Sequence, residues 1–350
     1  MTVATTKTRA KLEWDKIISQ LTAQASTSLG KELCRNLEPS ADMAQVAAGQ
    51  TETAEAVGLL CRGAAVPLGG ISNIKSLVSR CRRGGILSTD ELYSTRLTLE
   101  GGHRVRTFLL TEGQTPFFID LGSNMPLFPS LQSELVRCVL GPEELADEAT
   151  PVLQRLRRDV TRSENKIREH LDAMVHSSTV QKYLQEPLVT IRNERYVLPV
   201  KQEYRQQIPG IVHDQSASGA TLFIEPLTTF EQGNQLRALR AEEKHEVERI
   251  LADLSSKVAQ EADGIETLLA QLARLDFILA KGKLALAQKA SAPRINRQRC
   301  LELRQARHPL LGSEAVPITV WLGRTFRILV VTGPNTGGKT VLLKSIGLLV

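Results

Sequence analysis

Two long stretches without interior proline, each carrying an apolar stripe at helical spacing, restrict the fold of this chain more than any other feature. Between Pro151 and Pro187 the residues Leu153, Leu156, Val160, Ile167, Leu171 and Met174 fall close to a heptad series. From Leu227 to Ala292 the residues Val247, Leu251, Leu254, Val258, Ile265, Leu268, Leu272, Leu275 and Leu279 alternate steps of four and three, interrupted only at Glu261. Kept helical throughout, the second stretch would reach on the order of 80–90 Å at about 1.5 Å per residue. That is longer than one globular domain requires. Two seams facing each other across a compact insertion predict an antiparallel coiled-coil arm.

Between the seams the period changes. Leu188-Val189-Thr190-Ile191 and Tyr196-Val197-Leu198-Pro199-Val200 flank Arg192-Asn193-Glu194-Arg195, which predicts a hairpin. Ile211–Asp214 and Thr221–Glu225 flank Gln215-Ser216-Ala217-Ser218-Gly219, which predicts a second. The expected order is a first lever helix over 142–187, a small β clamp over 188–230 at its tip, and a second lever helix over 231–292. Ahead of them, 1–141 reads as a helical core. Leu12, Trp14, Ile17, Ile18 and Leu21 form one stripe, Gly69-Gly70 and Gly84-Gly85 punctuate, and Ser88-x-x-Glu91 makes a capping box. Thr111–Pro129, rich in Pro, Gly and Phe, predicts a packed loop. The expected class is mainly α, in keeping with only 4% aromatic residues.

Residues 293–350 change chemistry. Arg327-Ile328-Leu329-Val330-Val331 has the character of a buried parallel strand. It leads into Gly333-Pro334-Asn335-Thr336-Gly337-Gly338-Lys339-Thr340, and Val341-Leu342-Leu343-Lys344-Ser345-Ile346 continues as a helix. This is G-x4-G-K-[ST] in a strand–loop–helix context, the start of a P-loop α/β ATPase domain. Glycines let successive N–H groups converge on phosphate oxygens, and the helix N-terminus adds its dipole. Lys339 is expected to reach the β- and γ-phosphates of ATP, and the Thr340 hydroxyl to ligate Mg²⁺. Such loops also open the transporter and SMC-type ATPases, but there the loop precedes the helical insertion, whereas here it follows.

With Arg307-His308-Pro309-Leu310-Leu311 ahead of it, this loop resembles the ATPase entry of the MutS family. Asn193-Glu194-Arg195-Tyr196-Val197-Leu198-Pro199-Val200-Lys201, then Pro209-Gly210-Ile211-Val212-His213-Asp214-Gln215-Ser216-Ala217-Ser218-Gly219-Ala220-Thr221, narrows the resemblance to the second bacterial MutS branch, which lacks the mismatch-reading domains. Leu12-Glu13-Trp14-Asp15 fits that branch too. The resemblance implies a core, lever, clamp and ATPase layout, and a homodimer closing around nucleic acid. It also implies suppression of recombination on branched DNA, rescue of collided ribosomes by ATP-driven splitting, and a nuclease in a C-terminal small MutS-related domain. The chain stops at Val350, before the acidic residue and signature loop that complete such a site. An N-terminal piece with no complete catalytic set is therefore expected. The alternative is a non-catalytic clamp-and-lever fragment that only binds or dimerises.

Arg192, Arg195, Lys201 and Arg205 are the candidate backbone contacts on the tip, with Glu194, Glu203, Asp214 and Glu225 offsetting their charge locally. Arg155, Arg157, Arg158, Arg162, Lys166 and Arg168 make the first arm basic, either as a contact surface or as a solvated face. His308 either lines the nucleotide site or caps a turn. The net charge of +6 admits a polyanionic partner without demanding one. Five scattered cysteines without a CxxC pair, no apolar leader and no long apolar run predict a cytoplasmic protein, neither secreted nor membrane-spanning.

Overall fold

The computed structural model describes residues 4–333 and 338–350. Pro334, Asn335, Thr336 and Gly337 of the phosphate loop lie outside the described residues. The helices are α1 (Thr6–Leu12), α2 (Trp14–Gln24), α3 (Ser28–Arg35), α4 (Met43–Cys61), α5 (Lys75–Arg82), α6 (Thr89–Glu112), α7 (Pro116–Ser123), α8 (Pro129–Cys138), α9 (Pro151–Val175), α10 (Ser178–Gln181), α11 (Leu227–Gln260), α12 (Ala262–Ala287) and α13 (Lys339–Leu349). The strands are β1 (Val139–Gly141), β2 (Glu144–Leu145), β3 (Thr190–Arg192), β4 (Arg195–Lys201), β5 (Gly210–Gln215), β6 (Thr221–Pro226), β7 (Leu301–Ala306) and β8 (Ile318–Leu322). The chain divides into two compact units. One holds residues up to Arg82, Ser94–Gln132 and Ala259 onward; the other holds Arg83–Tyr93 and Ser133–Val258. Among the described residues no helix is long and apolar enough to cross a membrane.

In the first unit α12 packs against α2, α3, α4 and α5. This corrects the expectation of one continuous second lever helix over 231–292. The stretch breaks at Glu261 (φ −93°, ψ 10°), and its second half is a core helix. The reason lies in residues outside the heptad series. Leu269, Ala273, Ile278 and Ala280 are buried as well as Ile265, Leu268, Leu272, Leu275 and Leu279, so the apolar surface is too wide for a two-helix seam. Asp276 of α12 is fully buried, and its carboxylate accepts hydrogen bonds from Ser26 N (3.0 Å), Thr27 N (2.7 Å) and Thr27 Oγ1 (2.7 Å) at the start of α3. A Cβ on Gly30 would come within 2.2 Å of Asp276 Oδ2, so glycine is what lets the carboxylate approach. Burial, with Asp276 second, pushes the Cys34 thiol up to about 11, which makes it an inert core thiol. The packed loop expected over Thr111–Pro129 is instead interrupted by α7, whose Pro116 stands in the first turn and whose Phe118 is buried.

In the second unit α9 and α11 run antiparallel. Thr150 Oγ1 bonds Glu246 Oε1 (2.6 Å), Arg157 Nε bonds Glu243 Oε1 (3.0 Å) and Arg240 Nη2 bonds Glu164 Oε1 (2.6 Å), in reversed order along the partner helix. Val160, Ile167, Leu171 and Val175 of α9 share a cluster with Leu236 of α11 and with Tyr196, Leu198, Val200 and Ile224 of the sheet. The helix expected over 142–187 is shorter, because β1 and β2 pair over 139–145 and Thr150 starts α9 by capping Leu153 N at 3.0 Å. Four antiparallel strands in the order β3-β4-β6-β5 form the sheet, and β4 is buried from Arg195 to Val200. Asn193 (φ 48°) and Glu194 (φ 62°) make the tight β3–β4 turn, both in the left-handed region. The capping box closes as its spacing predicts, with Glu91 N on Ser88 Oγ (3.3 Å) and Ser88 N on Glu91 Oε2 (2.9 Å).

Glu246 gives this unit an acid-sensitive anchor. Hydrogen bonds from Arg249, then from Thr150, lower its pKa from 4.5 to about 2. A lowered carboxylate pKa contributes stability that is complete above the unfolded value and lost as pH falls through the folded one. The first turn of α9 should therefore lose hydrogen-exchange protection between pH 4.5 and about 2. In Glu246→Gln protection should be lower at neutral pH and flat across that window. An equal acid response in both proteins would remove the anchor.

Candidate functional site

The phosphate-loop region is built from the hairpin β7–β8 and the helix α13. Leu301 pairs with Leu322 and Leu303 with Val320 across the hairpin. The strand expected at Arg327–Val331 is not formed. Ile328 and Val330 are 79% and 76% exposed, and among the described residues no strand lies beside them to pair with. An apolar run of the parallel-sheet kind has no hydrogen-bonded ladder without neighbours. Gly338 precedes α13 in the left-handed region (φ 78°, ψ 8°), a conformation that favours glycine. The Lys339 ammonium folds back to donate to the Gly333 carbonyl, and Thr340 stands exposed on the first turn of α13. Of the eight loop positions, the structure describes Gly333, Gly338, Lys339 and Thr340.

His308 is buried, and its Nδ1 accepts the Leu310 N–H at 3.2 Å while its carbonyl accepts that of Leu311 at 3.1 Å. The imidazole thus caps the turn, one of its two expected roles. Burial holds its pKa below the ordinary value.

The four tip candidates separate. Arg195 is buried: its Nη1 lies 3.1 Å from Glu225 Oε1, its Nη2 donates to Asn234 Oδ1 at 2.6 Å, and it lies over the Phe230 ring. Arg205 donates to the Gly210 carbonyl at 2.9 Å and holds the loop into β5. Arg192 stacks 4.5 Å over Phe223 and pairs with Asp214 at 3.4 Å, but stays exposed. Lys201 reaches the Lys182 carbonyl at 3.4 Å from a half-buried position. Arg195 is occupied within the sheet, whereas Arg192 is exposed and Lys201 and Arg205 are half-buried, each of these two donating to one backbone carbonyl.

Comparison with protein-family profiles gives no match. Curated relatives do match. The chain is 46% identical over 344 residues to "Endonuclease MutS2" of Symbiobacterium thermophilum, covering 98% of this chain and 43% of the relative. To the protein of the same name from Pelotomaculum thermopropionicum it is 44% identical over 345 residues, covering 98% and 44%. To that of Alkaliphilus oremlandii it is 41% identical over 342 residues, covering 97% and 43%. The chain is similar to these MutS2 proteins along nearly its whole length. It spans less than half the length of these MutS2 relatives.

Two arrangements emerge only from the fold, although the basic residues of the second were already visible in the sequence. The first is a buried cluster on Glu225, which is 2% exposed and accepts from Arg195 of β4 and, at 2.7 Å, meets His213 Nε2 of β5. Its only trace in the sequence is Gly233 inside α11, where a Cβ would come within 2.3 Å of Glu225 Oε1. The second is an open cleft of about 580 Å³ along the outer face of α9, lined among others by Arg158, Arg162, Asn165 and Lys166. Arg157, also at its wall, is engaged with Asp147 and Glu243. Among the described residues Arg158 and Lys166 have no ion-pair partner, and Arg162 makes a 3.5 Å contact with Asp159. No group of three or more His, Cys, Asp or Glu that could hold a metal occurs among the described residues.

Proposed function

We propose that this chain supplies the ATP-binding loop and the nucleic-acid-gripping arm of a MutS2-type protein. In this reading the protein acts as a homodimer on branched DNA, on ribosomal RNA within ribosomes, or on both. The single observation that carries the reading is the G-x4-G-K-T loop at the start of α13 in a chain that matches MutS2 relatives along 97–98% of its length.

The described residues suit a nucleotide. Gly333 and Gly338 face open space where a Cβ would stand, and the Lys339 ammonium donates to the Gly333 carbonyl. Gly333 to Lys339 would hold the phosphates, and Thr340 would share Mg²⁺ with them. Bound Mg·ATP would supply the γ-phosphoryl group whose transfer powers rearrangement. The unpaired segment 327–332 supports the alternative for these 350 residues taken alone, namely binding or dimerisation without turnover. Weak or no ATP binding and no hydrolysis are expected of them in isolation.

The nucleic-acid half is tested by salt. Exposed cations on one backbone release counterions, so binding should weaken steeply with salt and vary little with base sequence. Each phosphate neutralised on duplex DNA adds about 0.9 to that slope. In the full-length protein Arg192→Ala with Lys201→Ala should therefore flatten it by up to roughly two units. Arg158→Ala with Arg162→Ala and Lys166→Ala reports on α9 in the same way. Titrations on branched DNA and on ribosomal particles decide between the ligands. Wild-type slopes in both variants would show that neither surface grips.

A further inference from the structure

Leu12-Glu13-Trp14-Asp15 has no part in the function proposed above, yet it touches the helix that begins at the phosphate loop. Glu13 joins α1 to α2 in the left-handed region (φ 58°, ψ 35°), where side chains other than glycine are uncommon. Its amide closes α1 on the carbonyls of Ala10 and Arg9. Its carboxylate accepts from Lys16 of α2 and, at 2.6 Å, from Lys344 of α13. One turn further along α13 lies Gly347, where a Cβ would come within 2.6 Å of Leu12 Cδ2. Positions 344 and 347 share a helix face, so both contacts bear on one side of α13. Hydrogen bonds from Lys16, then Lys344, hold the Glu13 pKa down to about 2, which keeps the carboxylate charged at neutral pH.

By contrast, the first turn of α13 is open, with Gly338, Thr340 and Val341 exposed. Its contacts with Glu13 and Leu12 begin five residues beyond Lys339, about 7.5 Å along the axis. A helix held at that distance carries any tilt of its anchor to Lys339 and Thr340.

We infer that Leu12 and Glu13 form a seat for α13 that positions Lys339 and Thr340 toward nucleotide phosphates. This rests on the nucleotide reading above. Leu12 and Glu13 touch no nucleotide themselves; they are positioning residues.

The test uses the full-length protein, Mg²⁺ and fluorescent mant-ATP, with Lys339→Ala as the control for loss of the loop. Glu13→Lys and Lys344→Glu should each weaken mant-ATP binding about fivefold, and the reversed pair together should return to within about twofold of wild type. Gly347→Ala should weaken it independently through contact with Leu12, and Leu12→Ala in the same chain should relieve it. Hydrogen exchange over Val341–Leu349 without nucleotide should quicken in each single variant and recover in each pair. Altered exchange with unchanged affinity would reduce the corner to packing and overturn the inference, as would single variants that behave as wild type in both measurements. Wild-type affinity no better than that of Lys339→Ala would remove the nucleotide reading and the positioning role with it. Exchange would then show only whether the seat exists.

Discussion

Lys339→Ala in the full-length protein should lower ATP turnover by about two to three orders of magnitude. That is the usual loss when one preorganised donor to a developing anion is removed. Lys339 is the one ammonium within the phosphate loop, and in the structure it bends onto the Gly333 carbonyl. A phosphate oxygen should displace that carbonyl, because its negative charge adds a Coulomb attraction to the ammonium that a neutral carbonyl lacks. Steady-state phosphate release and mant-ATP affinity, measured together, read the effect. Turnover equal to wild type would remove the central claim about this loop.

A comparably large effect is expected in the other compact unit. Glu225→Ala should destabilise the unit containing the sheet by about 3–5 kcal/mol, because it strands the Arg195 guanidinium in the interior. Arg195 is 8% exposed and Glu225 2%, so water cannot take over the lost partner. Replacing both, as Arg195→Met with Glu225→Leu, should recover much of that loss, since an apolar pair of similar volume escapes the desolvation cost. Urea unfolding followed by fluorescence of Tyr196 in the sheet, with Tyr183 and Tyr204 packed against it, gives both values. A single variant as stable as wild type would mean that the cluster does not organise the sheet. His213→Ala should cost less, because the Arg195–Glu225 pair survives it.

Local pattern carried much of the fold. The capping box at Ser88 and Glu91, both hairpins of the sheet and the α9 stripe were readable because each depends on neighbours in sequence. The assignment of α12 was not. A heptad count registers Ile265, Leu268 and Leu272, but it does not ask whether Leu269 and Ala273 widen the stripe beyond a seam. The strand at 327–331 failed for a related reason, since apolar runs become strands only beside other strands. At the candidate site the phosphate loop was legible as a motif, whereas the fates of the tip arginines were not. Arg192 and Arg195 are three residues apart in one turn and look alike in sequence. Residues distant in sequence, Glu225 with Phe230 and Asn234, separate the buried one from the exposed one.

The crosslinks between α9 and α11 bear on how that helix pair responds to a pull. Thr150, Arg157 and Glu164 stand one heptad apart, and each bonds a residue of α11. Each polar rung contributes at most about 1 kcal/mol, less than one buried leucine in the seam beside it. Their effect is on register more than on cohesion. A slide of α9 along α11 by a single turn would break all three rungs together, while apolar side chains could still find new hollows. The pair should therefore resist shear as a ratchet with one deep notch, yielding in steps of a turn rather than creeping. Peeling the helices apart breaks the rungs one at a time and meets a lower peak force.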